Sequence, residues 1–293
     1  MLLFMPIDIN TYEQPKTEIV YYHNAKPRVL HGSSSSESDS EGMHNDSTSC
    51  WMISVIQALR GSDAFRKEYA PKSSDKNALK TELFKMFDIS EGNNGESRRR
   101  VPRKAVRNYK RLAIDSGLKA KMDRGYLEEP FLRFLLKKID AKPIEYFVGK
   151  TPKKETMLRI HLKATETLKE LQDHFTQEKI SFGSKAPRFL PITISGRSKA
   201  KIAPSSTLKI AKKGGKATYK LVSIVIGRDS IQHAYSYVLE KAAKGKTIWV
   251  EYNDDKVAIH KDPKAKLRRK TSKRTPFDDA CKNAEILIYD RQG

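Results

Sequence analysis

Three kinds of side chain in this sequence could together perform nucleophilic acyl transfer: the thiol of Cys50, the imidazole of a histidine, and an amide or carboxylate to orient that ring. A cysteine attacks a carbonyl well only with a base in hydrogen-bond reach, and the base needs a third group to fix its direction. Cys50 follows the hydroxyl run Ser47-Thr48-Ser49 and precedes Met52, Val55, Ile56 and Leu59, which recur at i, i+3, i+4 and i+7. This spacing predicts a helix with one buried face, capped by the hydroxyl run, with Cys50 in its first turn. Unpaired N–H groups and the macrodipole at that end favour an anion, so the thiol is expected to shift toward thiolate. An inert buried cysteine is the competing reading.

Seven histidines could supply the base. His31 and His44 lie in or beside a polar low-complexity stretch, and His161 alternates with its neighbours in a strand. His174 falls on the expected exposed side of a helix whose apolar stripe is Leu168, Leu171 and Phe175. His233 differs, because it opens a β-type run (His233-Ala-Tyr-Ser-Tyr-Val-Leu239) directly after a turn. The next run, Thr247-Ile-Trp-Val-Glu-Tyr252, ends in Asn253-Asp254-Asp255. In an antiparallel meander the start of one strand lies beside the end of the next, which brings Asn253 or Asp254 against the His233 ring.

The elements that must position these residues divide the chain. Residues 1–30 form an N-terminal extension with one expected strand at Thr17–Tyr22, and the Ser-rich acidic segment 31–44 reads as a flexible linker. Residues 45–140 carry helical periodicity, including the stripe Leu79, Leu83, Met86 and Phe87 and a long helix over 126–139 that tolerates Pro130 only in its first turn. Residues 141–293 change period. Short β-branched or aromatic runs at 144–148, 157–162, 189–194, 219–226, 234–239, 247–252 and 285–289 are interrupted by one helix over 167–175. Helices first and strands afterwards indicate an α+β fold, a helical lobe packed on an antiparallel sheet.

Composition narrows the function classes. Two cysteines cannot build a disulfide framework, and no CxxC or paired Cys/His spacing suggests zinc, so neither metal nor cofactor is expected. The apolar start Met1-Leu-Leu-Phe-Met-Pro is too short for a signal peptide, and no apolar run approaches the roughly 20 residues of a membrane helix. A soluble protein of a reducing compartment, cytoplasm or nucleus, is therefore expected. The net charge of +22 concentrates at 98–104 and 264–274, patches that could contact nucleic acid or acidic membrane or serve as nuclear-import signals.

Together, the cysteine and histidine segments resemble those of the ubiquitin-specific protease family of cysteine deubiquitinases. The family pattern of an asparagine five residues before the nucleophile, an aromatic after it, and a glutamine and leucine at seven and nine beyond reads here as Asn45, Cys50, Trp51, Gln57 and Leu59. Its histidine pattern is followed by Tyr219-Lys-Leu221, His233, Trp249, Tyr252, Asn253 and Asp254, and its closing strand by Ala284–Tyr289. The resemblance implies a papain-like thumb and palm and a deubiquitinase that hydrolyses iso-peptide or ester bonds after the ubiquitin tail through a Cys50 acyl-enzyme. It implies His233 as general base, Asn253 as its orienter with Asp254 as alternative or helper, and Asn45 as oxyanion donor. Gln57 and Trp51 are expected to face substrate. Ubiquitin's tail carries arginines, so Glu128 and Glu129 are the expected channel carboxylates. Ser47, Ile53 and Gln232 depart from the pattern, the fingers are expected to be absent or rudimentary, and this divergence suggests an effector secreted into a host cell. Another ubiquitin-like modifier is the alternative substrate. A catalytically dead basic binding module for nucleic acid or membrane is the alternative class.

Overall fold

The computed structural model describes residues 42–45, 48–91, 100–162, 170–195, 203–228, 233–241, 247–254, 256–260 and 283–293. The readings on 1–41, on 163–169 and on the basic cluster 264–274 fall outside these residues, as do the first two residues of the 98–104 cluster.

Five helices come first: α1 (Cys50–Arg60), α2 (Asp63–Tyr69), α3 (Ala78–Glu91), α4 (Arg103–Asp115) and α5 (Glu128–Lys138). Every residue of α1 is buried, more than the single apolar face its spacing predicts, because it is packed between the other helices and the sheet. Gly61 at its end allows that approach. A Cβ there would lie 2.3 Å from Val238 Cγ1 and 2.6 Å from Ser223 Oγ. In α5, Pro130 stands in the first turn, where no intrahelical N–H partner is required.

The strands are β1 (Ile144–Val148), β2 (Thr151–Glu155), β3 (Leu158–His161), β4 (Ile180–Phe182), β5 (Phe189–Ser195), β6 (Thr207–Lys212), β7 (Gly215–Arg228), β8 (His233–Lys241), β9 (Thr247–Asn253), β10 (Lys256–His260) and β11 (Ala284–Arg291). They join one sheet in the order β10-β9-β8-β7-β6-β4-β1-β2, while β11 pairs with both β7 and β5, and β3 with β5. The first half of the long strand β7 pairs with β6 and its second half with β8, and β11 runs along its other edge. An apolar cluster including Ile224, Tyr237 and Leu287 fills one face, and α1 lies against β8 and β7 on the other.

The architecture is α+β, with three local departures from the expectations. The sheet is mixed, not antiparallel, because β3 pairs with β5 and β4 with β6 in parallel. Each of those pairs is separated in sequence by at least one intervening strand, the connection length that parallel pairing needs. The segment expected to be a linker ends early, since Met43 is fully buried, bridges Val101 and donates its N–H to the Asp254 carbonyl at 3.2 Å. His174 is buried, because the inner face of α6 (Leu171–Gln177) is Leu171, His174 and Phe175.

Candidate active site

Cys50 occupies the first turn of α1 with 7 % of its surface exposed. Ser49, the residue at the N-cap, makes no side-chain cap hydrogen bond, and its Oγ is buried without a partner. The Ser49 N–H instead donates to the Asn45 Oδ1 at 3.0 Å, and Trp51 Nε1 donates to the Thr48 carbonyl at 2.7 Å. The expected thiolate is also corrected. Burial pushes the Cys50 thiol above its ordinary value and the Asp254 carboxylate adds to the rise, against the opposing donation of the Ala234 N–H to the sulfur. A helix terminus favours an anion by at most about 2 kcal/mol, and here desolvation and a like charge outweigh it.

The other half of the site lies where β8 begins and β9 ends. The antiparallel register Ser236↔Tyr252 carries His233 past the end of β9. His233 Nε2 donates to Asn253 Oδ1 at 2.7 Å, and the ring stacks on Tyr235. With Nε2 so engaged, Nδ1 is the nitrogen left to accept a proton. Ala234, whose N–H reaches the sulfur, is the next residue, so Cys50, His233 and Asn253 converge although 183 residues separate the first two (233 − 50).

The adjacent Asp254 takes a different direction. Its backbone has a left-handed φ of 55°, a conformation that aspartate adopts more readily than most residues. Its Oδ2 accepts from Asn45 Nδ2 at 3.0 Å. Of the two residues left open by the sequence, Asn253 contacts the imidazole and Asp254 contacts Asn45.

The four side chains expected to meet substrate separate. Trp51 and Gln57 are core residues, 1 % and 0 % exposed, because α1 is enclosed on all sides. Trp51 packs edge-on against Tyr126 and Phe131. Glu129 forms ion pairs with Arg133 and Arg159. Glu128 stands apart from these three: it is buried in the first turn of α5, and its carboxyl is pushed up to about 9 by burial, then by the Glu285 carboxylate, with a smaller contribution from Cys50. Glu285, from β11, lies over Gly227, where a Cβ would fall 2.3 Å from its Oε1. Gly227 pairs with Ala234, so a carboxyl pair borders Cys50. Glu285 escaped sequence reasoning. The only signal was one acid in the apolar run Ala284-Glu-Ile-Leu-Ile-Tyr289.

A family model described as ubiquitin carboxyl-terminal hydrolase matches residues 41–289. Among curated proteins no sequence matches the chain. Among solved structures, it is similar to the SAGA DUB module of Ubp8, Sgf11, Sus1 and Sgf73 bound to monoubiquitin, with 13 % identity and a TM-score of 0.60 over 90 % of this chain and 72 % of that one. The same module bound to ubiquitin aldehyde also matches at 13 % identity and 0.60, over 86 % and 69 %. At that identity the likeness establishes the fold. The family match spans every residue of the site, from Asn45 to Glu285. The chain thus belongs to the ubiquitin carboxyl-terminal hydrolase family and is a cysteine deubiquitinase of the ubiquitin-specific protease type.

Proposed function

We propose that Cys50 is the nucleophile of this deubiquitinase, His233 its general base, Asn253 the orienter of the ring and Asn45 the oxyanion donor. The observation that supports this reading best is the 2.7 Å bond from His233 Nε2 to Asn253, one residue from the amide that reaches the Cys50 sulfur. Since the resting thiol is held neutral, its proton passes to His233 Nδ1 as the sulfur attacks the carbonyl of the C-terminal glycine of ubiquitin. The negative charge that develops on the carbonyl oxygen is met by Asn45. Its amide nitrogen carries two hydrogens, of which Asp254 takes one. The imidazolium then protonates the departing amine or alcohol. Water, deprotonated by the same ring, releases ubiquitin from the thioester.

Asp254 acts in this scheme as the group that holds Asn45. Glu128 and Glu285 line the approach to the nucleophile and take an arginine of the ubiquitin tail, a guanidinium being the group that satisfies two converging carboxylates. Ubiquitin and ubiquitin conjugates are the partners. A catalytic thiol is spared oxidation in a reducing compartment such as the cytoplasm or nucleus, where this enzyme is proposed to act.

Ubiquitin bearing a C-terminal electrophile tests the assignment. A covalent adduct is expected with the native chain and none with Cys50→Ala. An adduct that survives Cys50→Ala would refute it.

A further inference from the structure

Lys110, on α4, has 0 % of its surface exposed. A buried ammonium demands close acceptors, since desolvation of an uncompensated charge costs several kcal/mol. Its Nζ donates to Thr48 Oγ1 at 2.8 Å, to the Thr48 carbonyl at 3.0 Å and to the Met122 carbonyl at 3.0 Å. It also lies over the Trp51 ring, 5.6 Å from the centroid. These contacts flank Cys50 on both sides in sequence.

The Thr48 carbonyl and the Ser49 N–H belong to one peptide unit. Its oxygen is held by Lys110 and by Trp51 Nε1, and its hydrogen by Asn45 Oδ1. A planar group gripped at both ends has little freedom to rotate. Polarising its carbonyl with a cation also strengthens the donation of its N–H. The next carbonyl, Ser49 O, accepts from the N–H groups of Met52 and Ile53 at 2.9 Å and so starts the helix that carries Cys50. The far end of Asn45 reaches Asp254.

We propose that Lys110 is a positioning residue for catalysis: by fixing the 48–49 peptide plane between α4 and the loop at Met122, it aims the Asn45 amide at the carbonyl that Cys50 attacks. The inference rests on the roles assigned above to Cys50 and Asn45. A carbonyl displaced by about 1 Å from its donor loses about 100-fold in rate, so the effect belongs in kcat and not in substrate affinity.

Steady-state hydrolysis of a fluorogenic ubiquitin C-terminal amide tests this with Lys110→Met, which keeps the stem and removes the donors. At a temperature where near-UV circular dichroism shows native packing, kcat is expected to fall about 10- to 100-fold with KM within about twofold. Because Lys110 acts through Asn45, its substitution in an Asn45→Ala background should add less than about twofold. Two milder variants carry the same cycle if Lys110→Met does not fold. Thr48→Val removes one acceptor, and Lys110→Arg keeps the charge but presents a planar fork in place of three convergent donors. Each should lower kcat in native Asn45 and much less in Asn45→Ala. Unchanged kcat in the folded variants, or effects that multiply with Asn45→Ala, would overturn the role of Lys110 alone. Activity retained by Cys50→Ala would instead overturn the catalytic assignment, and this inference with it.

Discussion

Replacing Glu128 by glutamine should make the enzyme more stable in mild alkali and leave it unchanged in mild acid. The carboxyl is buried, faces Glu285 and is pushed up to about 9, whereas a glutamate in an unfolded chain titrates near about 4.3. Between those values the folded chain holds a proton that the unfolded chain releases, so this group's contribution is fully present below about 4.3 and is lost as pH rises toward 9. One proton corresponds to about 1.4 kcal/mol per pH unit, or an upper bound of about 4 kcal/mol from pH 5 to pH 8. The proton is shared with Glu285 and the pair relaxes, which reduces the expectation to about 1–2 kcal/mol. Glutamine keeps the shape and donates to Glu285 without titrating. Urea unfolding at pH 5 and pH 8 should give equal stabilities at the lower pH and a gain of about 1–2 kcal/mol for Glu128→Gln at the higher, with Tm up by about 2–5 °C. Parallel pH profiles for the two proteins, or a gain confined to pH 5, would refute the reasoning. The same proton must leave when a guanidinium enters, so ubiquitin affinity in the native protein should rise with pH by at most about tenfold per unit.

Asp254→Asn removes a negative charge beside the thiol, so the pH midpoint of Cys50 alkylation by iodoacetamide should move down; an unchanged midpoint would exclude this electrostatic contact. Asn253→Ala leaves the His233 ring without its 2.7 Å partner and should lower kcat by about 10²–10⁴-fold at similar KM, measured on a fluorogenic ubiquitin amide. Gly61→Ala forces a methyl to within 2.3 Å of Val238 Cγ1 and should destabilise the fold by about 1–3 kcal/mol in urea titration, with little change in kcat for the folded fraction.

Much of the fold was legible because periodicity reports burial directly. The apolar stripe after Cys50 located α1, and the β-type runs located seven of the strands. The other four, β2, β4, β6 and β10, gave no such signal. Thr151–Glu155 is a polar edge strand that carries Pro152 and, among the described strands, pairs with β1 alone. The proximity of His233 to the Asn253–Asp254 end followed from strand order. That Asn253 and not Asp254 faces the ring follows from the Ser236↔Tyr252 register, which puts Asn253 on the face of His233 and Tyr235 and cannot be read from the runs themselves. The helix terminus alone favours a thiolate at Cys50, but burial and a carboxylate from 204 positions away (254 − 50), neither visible in the local spacing, outweigh it. Trp51 and Gln57 show a second limit: matching a motif position does not say whether a side chain faces the core or a partner. Glu285 was invisible because its meaning comes from Gly227 on the neighbouring strand.

The insertion of β11 between β5 and β7 has a consequence for biosynthesis. The last of the described strands in chain order lies between two others and not at an edge. While it is still within the ribosome, β5 and β7 each present an unpaired edge, the kind of surface on which chains misassociate. The helical half waits on the same strand, since α2 leans on its Asp290 through Ser62 and Ala64. A nascent chain therefore cannot close this sheet until β11 has been made. Without β11 the β3–β5 pair would be cut off from the other strands, a sheet broken in two and not one shortened at its rim.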